Sequence, residues 1–353
     1  MSVVKKCSDP IVIVGAGPAG LACAIELKRL GEENVLVLDK CSFPRYKCCA
    51  GYVTGRTAET YMDLGADPLG VGYSLIRDFR INYLYNQRLV IDNRFLYASR
   101  SVSRTELDYS LFLAAKRQGV EIMENANVTG YDVESSCVLL SSGESVRFSR
   151  LVLADGAAGI GFCGSGIKRR NIALQLHLKT DKEDGIAIHF GVSRRGYGWV
   201  SVSCGSMGIG LTDVYDPNVN YRELFANYLK NLGVSADLSG LKAAFTPIGV
   251  GKAISGGSVY RVGDALGACD PLTLSGLRYG LQSGCEAARA IYNNKPRGYE
   301  TYASRLRLRF SIMSLMQKAF YMKAVQGLVF GPVTSHFGGL VSAVFNGFFV
   351  NKK

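Results

Sequence analysis

A chain of 353 residues, 48% of them hydrophobic, has enough apolar material for two domains or for one large α/β domain with an insertion. Its ten cysteines are scattered without a C-x-x-C pair, which argues against a structural zinc site, any other metal site or a disulfide framework. Lys and Arg total 41 against 29 Asp and Glu, a net charge of +12. That excess suits phosphate cofactors, anionic lipid headgroups or nucleic acid, and the chain carries no nucleic-acid-binding signature to favour the last.

The first ten residues include Lys5, Lys6 and Asp9 and lack the apolar core of a signal peptide. The expectation is a cytoplasmic protein with free thiols. Ile11-Val12-Ile13-Val14 is a short apolar run of the kind buried in a parallel sheet. Gly15-Ala16-Gly17-Pro18-Ala19-Gly20 follows at once, a G-x-G-x-x-G, and Leu21 to Leu30 reads as a helix stopped by Gly31. Val35-Leu36-Val37-Leu38 is a second strand with Asp39 at its end. This is one complete β-α-β unit.

Each residue type has a physical task in such a unit. Gly15 permits the tight turn, Gly17 lets backbone approach a pyrophosphate, and Gly20 lets helix and strand pack closely. Ala19 falls inside the fingerprint, and the helix start offers free N–H groups to an anion. Asp39, nineteen residues after Gly20, can accept hydrogen bonds from the ribose hydroxyls of an adenosine. The unit predicts dinucleotide binding, with a ligand-free glycine turn as the alternative. It does not separate FAD from NAD.

Phe43-Pro44-Arg45-Tyr46-Lys47-Cys48-Cys49-Ala50-Gly51 comes next. Residues 76–100 are expected to add strands to a later sheet. Val102-Ser103-Arg104-Thr105-Glu106-Leu107-Asp108 precedes a helix expected over Tyr109–Gly119, and Leu151-Val152-Leu153-Ala154-Asp155-Gly156 is a strand ending in Asp-Gly. Residues 171–215 alternate apolar and polar, the pattern of antiparallel strands. Within them, Tyr197 and Trp199 share one strand face. Tyr221–Leu232 reads as a helix. Tyr260-Arg261-Val262-Gly263-Asp264-Ala265 ends a strand, and Cys269-Asp270-Pro271-Leu272-Thr273-Leu274-Ser275-Gly276-Leu277 leads into a long helix. Gly276, Gly280 and Gly284 form one flat helical stripe, suited both to close cofactor approach and to plain packing. The histidines His177, His189 and His336 match no metal or catalytic spacing and are read as structural.

Beyond Arg305 the chain turns basic and apolar, and Ala324 to Val350 carries no charge. Its glycines and Pro332 argue against one clean spanning helix. Short apolar helices on the cytoplasmic face of a bilayer, with Lys323, Lys352 and Lys353 toward an anionic leaflet, are one reading. Helices packed on the core are the other.

The ordered strings V-x-R-x-x-L-D, D-G, G-D-A, D-P-L-T and G-L resemble the FAD-dependent family of geranylgeranyl reductases, aromatic-ring hydroxylases and flavin halogenases, and look most like the first branch. The resemblance covers roughly residues 10–310. It implies an α/β, glutathione-reductase-like FAD-binding Rossmann-type domain, an antiparallel β-sheet substrate domain and a helical C-terminal segment. The division would be 1–75, 101–165 and 255–300 for FAD, 76–100 and 166–254 for substrate, and 301–353 for the helical end. Arg104 would contact the cofactor, Asp264 the ribityl chain, and Gly276 and Leu277 would open a helix toward the flavin; a salt bridge to Glu106 or Asp108 is the alternative for Arg104. Asp155 stands at the family's Asp-Gly corner, but Ala157-Ala158-Gly159 replaces the usual serine and arginine there. The family's flavin-side cysteine aligns with Cys49 on lysine spacing, while glycine spacing permits Cys48. Tyr197 and Trp199 match a Y-x-W-x-F-P cavity motif, with Ser201-Val202 in place of its Phe-Pro. The halogenase W-x-W-x-I-P motif is missing.

The function implied is reduction of carbon–carbon double bonds in a lipid-linked isoprenoid, or in another apolar lipid. An FAD-dependent monooxygenase and a weakly catalytic polyprenyl-lipid-binding flavoprotein are the alternatives. The electron donor stays open between NAD(P)H and a small electron carrier.

Overall fold

The computed structural model describes residues 9–68, 70, 73–76, 78–92 and 100–330. Strand Ile11–Val14 lies at the centre of a six-stranded sheet, flanked in parallel register by Val35–Leu38 and by Arg150–Leu153. Glu121–Met123 and Val259–Arg261 extend it in parallel, and Ile254–Ser255 closes one edge antiparallel. All four residues of each of the two strands Ile11–Val14 and Val35–Leu38 are buried, as expected of a parallel sheet covered on both faces. The helices Pro18–Leu30, Arg104–Arg117 and Leu277–Tyr292 supply one face of that core. A three-stranded meander over Val128–Arg147 covers the other.

The helix after the V-x-R string begins at Arg104, five residues earlier than expected, with Ser103 at its N-cap. Arg104, Leu107 and Asp108 therefore sit inside its first turns and face the core. The sequence reading stopped short because a charged first turn hides the apolar period.

A seven-stranded sheet forms the second layer: Lys242–Ile248, Arg169–Lys179, Ser206–Val214, Gly198–Ser203, Gly185–Phe190, Asp78–Tyr83 and Asn86–Asp92. Its pairs are antiparallel except one, since Gly185–Phe190 runs parallel to Asp78–Tyr83. A long crossover joins those two strands, and such a connection permits a parallel pair where a hairpin would not. One face is packed by helix Tyr221–Asn231 through Phe225, Tyr228 and Leu229. The other carries Phe79, Ile81, Ile186, Phe190, Tyr197 and Trp199 toward the first layer. Tyr52–Val53, Arg100–Val102 and Tyr73–Leu75 form a small antiparallel sheet between the layers.

The C-terminal stretch folds as helix Pro296–Phe320 and helix Lys323–Phe330. Phe330 stacks on Tyr83 with ring centroids 4.8 Å apart and on Phe190 at 5.6 Å. The start of the uncharged tail thus packs on the seven-stranded sheet. The remainder of that stretch and His336 lie outside the described residues.

Candidate active site

Glycine is required at two positions of the first turn. Gly15 has φ +105°, and a Cβ there would stand 2.5 Å from the Ala154 carbonyl oxygen. A Cβ on Gly20 would stand 2.0 Å from the Gly15 carbonyl oxygen. Gly17 is the N-cap of helix Pro18–Leu30, whose first turn holds no acidic side chain. The positive end of that helix is therefore open to an anion. Asp39 is buried at the end of the second strand, where it accepts hydrogen bonds from Ala16 N at 2.7 Å and Cys41 N at 2.9 Å.

Arg45, unassigned by motif, joins this corner. Its Nη2 lies 3.8 Å from an Asp39 carboxylate oxygen and 3.7 Å from where a Gly17 Cβ would be. Its guanidinium lies over the Phe43 ring at 4.8 Å, and its Nε is buried without a protein partner. A cation with an unmet donor beside a helix start is a ready phosphate clamp. The signal was an arginine six residues after the strand-end acid.

Asp264 comes to the same helix from the far end of the sequence. It lies in a single 3-10 turn, Gly263–Ala265. Gly263 has φ +58°, and a Cβ on it would meet the Ala19 Cβ at 2.8 Å. Ser283 Oγ accepts from Gly263 N at 2.9 Å and pins the turn to helix Leu277–Tyr292. In that helix, a Cβ on Gly284 would fall 2.2 Å from the Ala19 carbonyl oxygen, whereas one on Gly276 would face Asp264 Oδ1 at 3.5 Å and Cys269 Sγ at 3.7 Å. The glycine stripe thus divides: Gly284 serves helix packing, Gly276 opens onto the Asp264 turn, and Leu277 begins the helix against the core.

The two adjacent cysteines part company. Cys48 Sγ points to Gln175 Oε1 at 3.4 Å, and burial raises its pKa to about 11. Cys49 holds Gln175 Nε2 through its carbonyl oxygen at 2.9 Å. It shares the electrostatic surroundings of Arg104, Tyr61, Tyr197 and Cys269. Cys269 is a buried thiol that the motif reading passed over. Burial and the neighbouring Asp264 and Asp270 push it well above the ordinary thiol range.

Arg104 is buried and forms a bidentate pair with Asp108, at 2.8 and 3.0 Å from Nη2. Its guanidinium is committed within its own helix, so the intrahelical salt bridge weighed from sequence is present, in the core rather than at the surface. Asp155 accepts from Gly161 N at 3.0 Å through Oδ2, while its Oδ1 is buried without a protein partner. Burial raises its carboxyl above the usual range against the pull of those backbone donors.

Tyr197 and Trp199 lie together, ring centroids 6.2 Å apart. Tyr197 Oη donates to the Thr273 carbonyl oxygen at 2.9 Å, tying the second sheet to the D-P-L-T loop. Trp199 packs over Gly210, where a Cβ would be 2.0 Å from its ring, and its indole Nε1 is buried without a partner. One continuous region therefore runs from Gly17, Asp39 and Arg45, past Ala19 and Asp264, to Cys49, Cys269, Tyr197 and Trp199. An extended dinucleotide fits that chemistry: an open helix start with a cation, carboxylates at two stations, and unmet donors at both ends. Among the described residues no cluster of metal-binding side chains occurs and the nine cysteines are free thiols.

The pyridine nucleotide-disulphide oxidoreductase family model matches residues 9–184. Menaquinone reductase of Mycobacterium tuberculosis is 27% identical over 316 residues, covering 80% of this chain and 76% of that protein. Digeranylgeranylglycerophospholipid reductase 2 of Methanosphaera stadtmanae is 24% identical, covering 78% and 76%. The structure of a geranylgeranyl bacteriochlorophyll reductase-like protein from Thermoplasma acidophilum superposes with a TM-score of 0.77 at 18% identity, over 89% of this chain and 88% of that one. That of the flavin-dependent brominase Bmp2 gives 0.74 at 21%, over 96% and 94%. The chain is an FAD-dependent oxidoreductase with the geranylgeranyl-reductase-like fold.

Proposed function

We propose that this enzyme reduces carbon–carbon double bonds of a lipid-linked isoprenoid. The observation that carries the reading is the aromatic pair of Tyr197 and Trp199, bonded to the Thr273 loop and backed by the apolar core of Phe79, Ile81, Ile186, Ile188 and Phe190. An isolated alkene offers no polar handle, so an apolar wall that positions it and excludes water is the contribution a protein can make. The relatives that reduce menaquinone and digeranylgeranylglycerophospholipid, by their names, point to the same substrate class.

In this reading Gly15, Gly17, Gly20 and Arg45 hold the pyrophosphate of FAD, Asp39 the adenosine ribose, and Asp264 with Gly276 the flavin end. FAD, when bound, supplies a hydride for one alkene carbon. The Cys49 thiol delivers the proton to the other carbon and recovers it from water. Tyr197 and Trp199 align the chain. The test is anaerobic. Protein reduced in the absence of oxygen is mixed with a geranylgeranylated lipid, and reoxidation should follow without oxygen. Reoxidation that waits for oxygen, with an oxygen atom gained by the lipid, supports the monooxygenase alternative instead.

A further inference from the structure

We infer that the outer face of helix Pro296–Phe320, continued by helix Lys323–Phe330, is a docking surface for an anionic lipid bilayer. Tyr299, Ala303, Leu306, Phe310, Met313 and Gln317 form the buried stripe of the first helix. About 180° round the helix, at its period of ~3.6 residues per turn, lies a second apolar stripe that no part of the described chain covers. Leu308 is 67% exposed, Ile312 54% and Leu315 68%, and Leu328 of the next helix is 72% exposed. A soluble helix normally turns polar side chains outward, so two apolar stripes on opposite sides need two apolar neighbours.

Charge identifies the second neighbour. After Glu300 the sequence contains no Asp or Glu, while Arg305, Arg307, Arg309, Lys318 and Lys323 lie in the described helices. Arg307 is held by the Val250 and Gly251 carbonyls. Arg305, Lys318 and Lys323 are exposed and border the stripe. An apolar stripe with cations alongside is the composition of a helix lying in the plane of a bilayer interface. The inner side of the same helix donates Gln317 Nε2 to the Pro271 carbonyl at 2.7 Å, and Phe320 packs on Phe190 at 5.1 Å. Docking would hold the apolar sheet face about 10 Å, one helix diameter, from the lipid.

Vesicle binding tests this independently of any reductase activity. Full-length protein with bound FAD is sedimented with phosphatidylcholine vesicles with and without phosphatidylglycerol. Binding should require the anionic lipid and weaken with salt. The triple variant Leu308→Gln, Ile312→Gln, Leu315→Gln should bind at least about tenfold less, and each of Arg305→Ser, Lys318→Ser and Lys323→Ser about fivefold less. Unchanged FAD content and melting temperature would show that the variants are folded. Should the triple variant misfold, Leu315→Trp reports instead, its indole being quenched by brominated acyl chains on binding. Vesicle binding unaffected by the triple variant, an unquenched Trp at 315, or a stripe that proves to hold two copies of the chain together would overturn the inference.

Discussion

Adjacent residues of one type can be held differently: Gln175 contacts Cys48 at its thiol and Cys49 at its carbonyl. Cys48 is half-buried against Tyr46 and Gln175, and its pKa, raised to about 11, keeps it protonated at neutral pH. Only a thiolate attacks an alkylating agent readily. Iodoacetamide should therefore modify Cys48 slowly at neutral pH, its rate climbing as pH approaches about 11; peptide mapping by mass spectrometry reads this, and rapid neutral labelling would contradict it. Cys49→Ser should lower reductive turnover by about 10²-fold, the scale of a lost proton donor, while leaving FAD content unchanged. The motif alone left the two thiols undecided because spacing along the chain says nothing about which side of a loop each faces. Gln175, 126 residues beyond Cys49, accepts from the Cys48 thiol and donates to the Cys49 carbonyl, and no local pattern announces it.

The pair of Arg104 and Asp108 belongs to the same scale. Both side chains are buried, and removing one partner strands a charge in the core. Arg104→Leu should destabilise the fold by about 3–5 kcal/mol. The double change Arg104→Leu, Asp108→Leu should recover much of that loss in urea denaturation. An Arg104→Leu variant of unaltered stability would show that the pair contributes nothing.

Among the elements, the first helix packs closely on helix Leu277–Tyr292 at Gly284 and on the Asp264 turn at Gly263, both through Ala19. Gly284→Ala brings a methyl to 2.2 Å from the Ala19 carbonyl oxygen, so backbone must move. Overpacking of this kind costs about 1–3 kcal/mol. The variant should lose stability by that amount and FAD occupancy with it, because Asp264 hangs from the same contact. Loss of neither would mean the helices tolerate separation.

The β-α-β unit was legible in full, since its period, glycines and strand-end acid all sit within 39 residues of the start. The strands of the second sheet were legible as alternation between residues 171 and 215, though not their bounds, such as Ser206–Val214. Three features were not legible. The parallel pairing of Gly185–Phe190 with Asp78–Tyr83 depends on a crossover, which leaves no mark in either strand. The meander over Val128–Arg147 has short, half-exposed strands with weak alternation. The length of helix Pro296–Phe320 was masked because two apolar stripes on opposite faces blur the helical period.

For the molecule as a whole, two sheets meet along a region supplied from four distant parts of the chain: residues 15–20, 39–49, 197–199 and 263–277. The Tyr197–Thr273 bond closes it and the C-terminal helices cover its apolar side. No described helix is long and apolar enough to cross a membrane. The +12 charge suits a phosphate-bearing cofactor and, on the docking surface proposed above, an anionic bilayer. Asp264→Ala should reduce flavin occupancy of the purified protein at least tenfold, roughly the effect of losing 1.4 kcal/mol of binding, as read from its visible absorbance. Full occupancy would place the flavin elsewhere.

The most direct measurement is the mass of the lipid after a single anaerobic turnover in heavy water. Hydrogen on reduced flavin nitrogen exchanges with solvent, so the account predicts a lipid gaining two deuterons for each double bond lost. A lipid recovered with its unsaturation intact, while the flavin has been reoxidised, would contradict it.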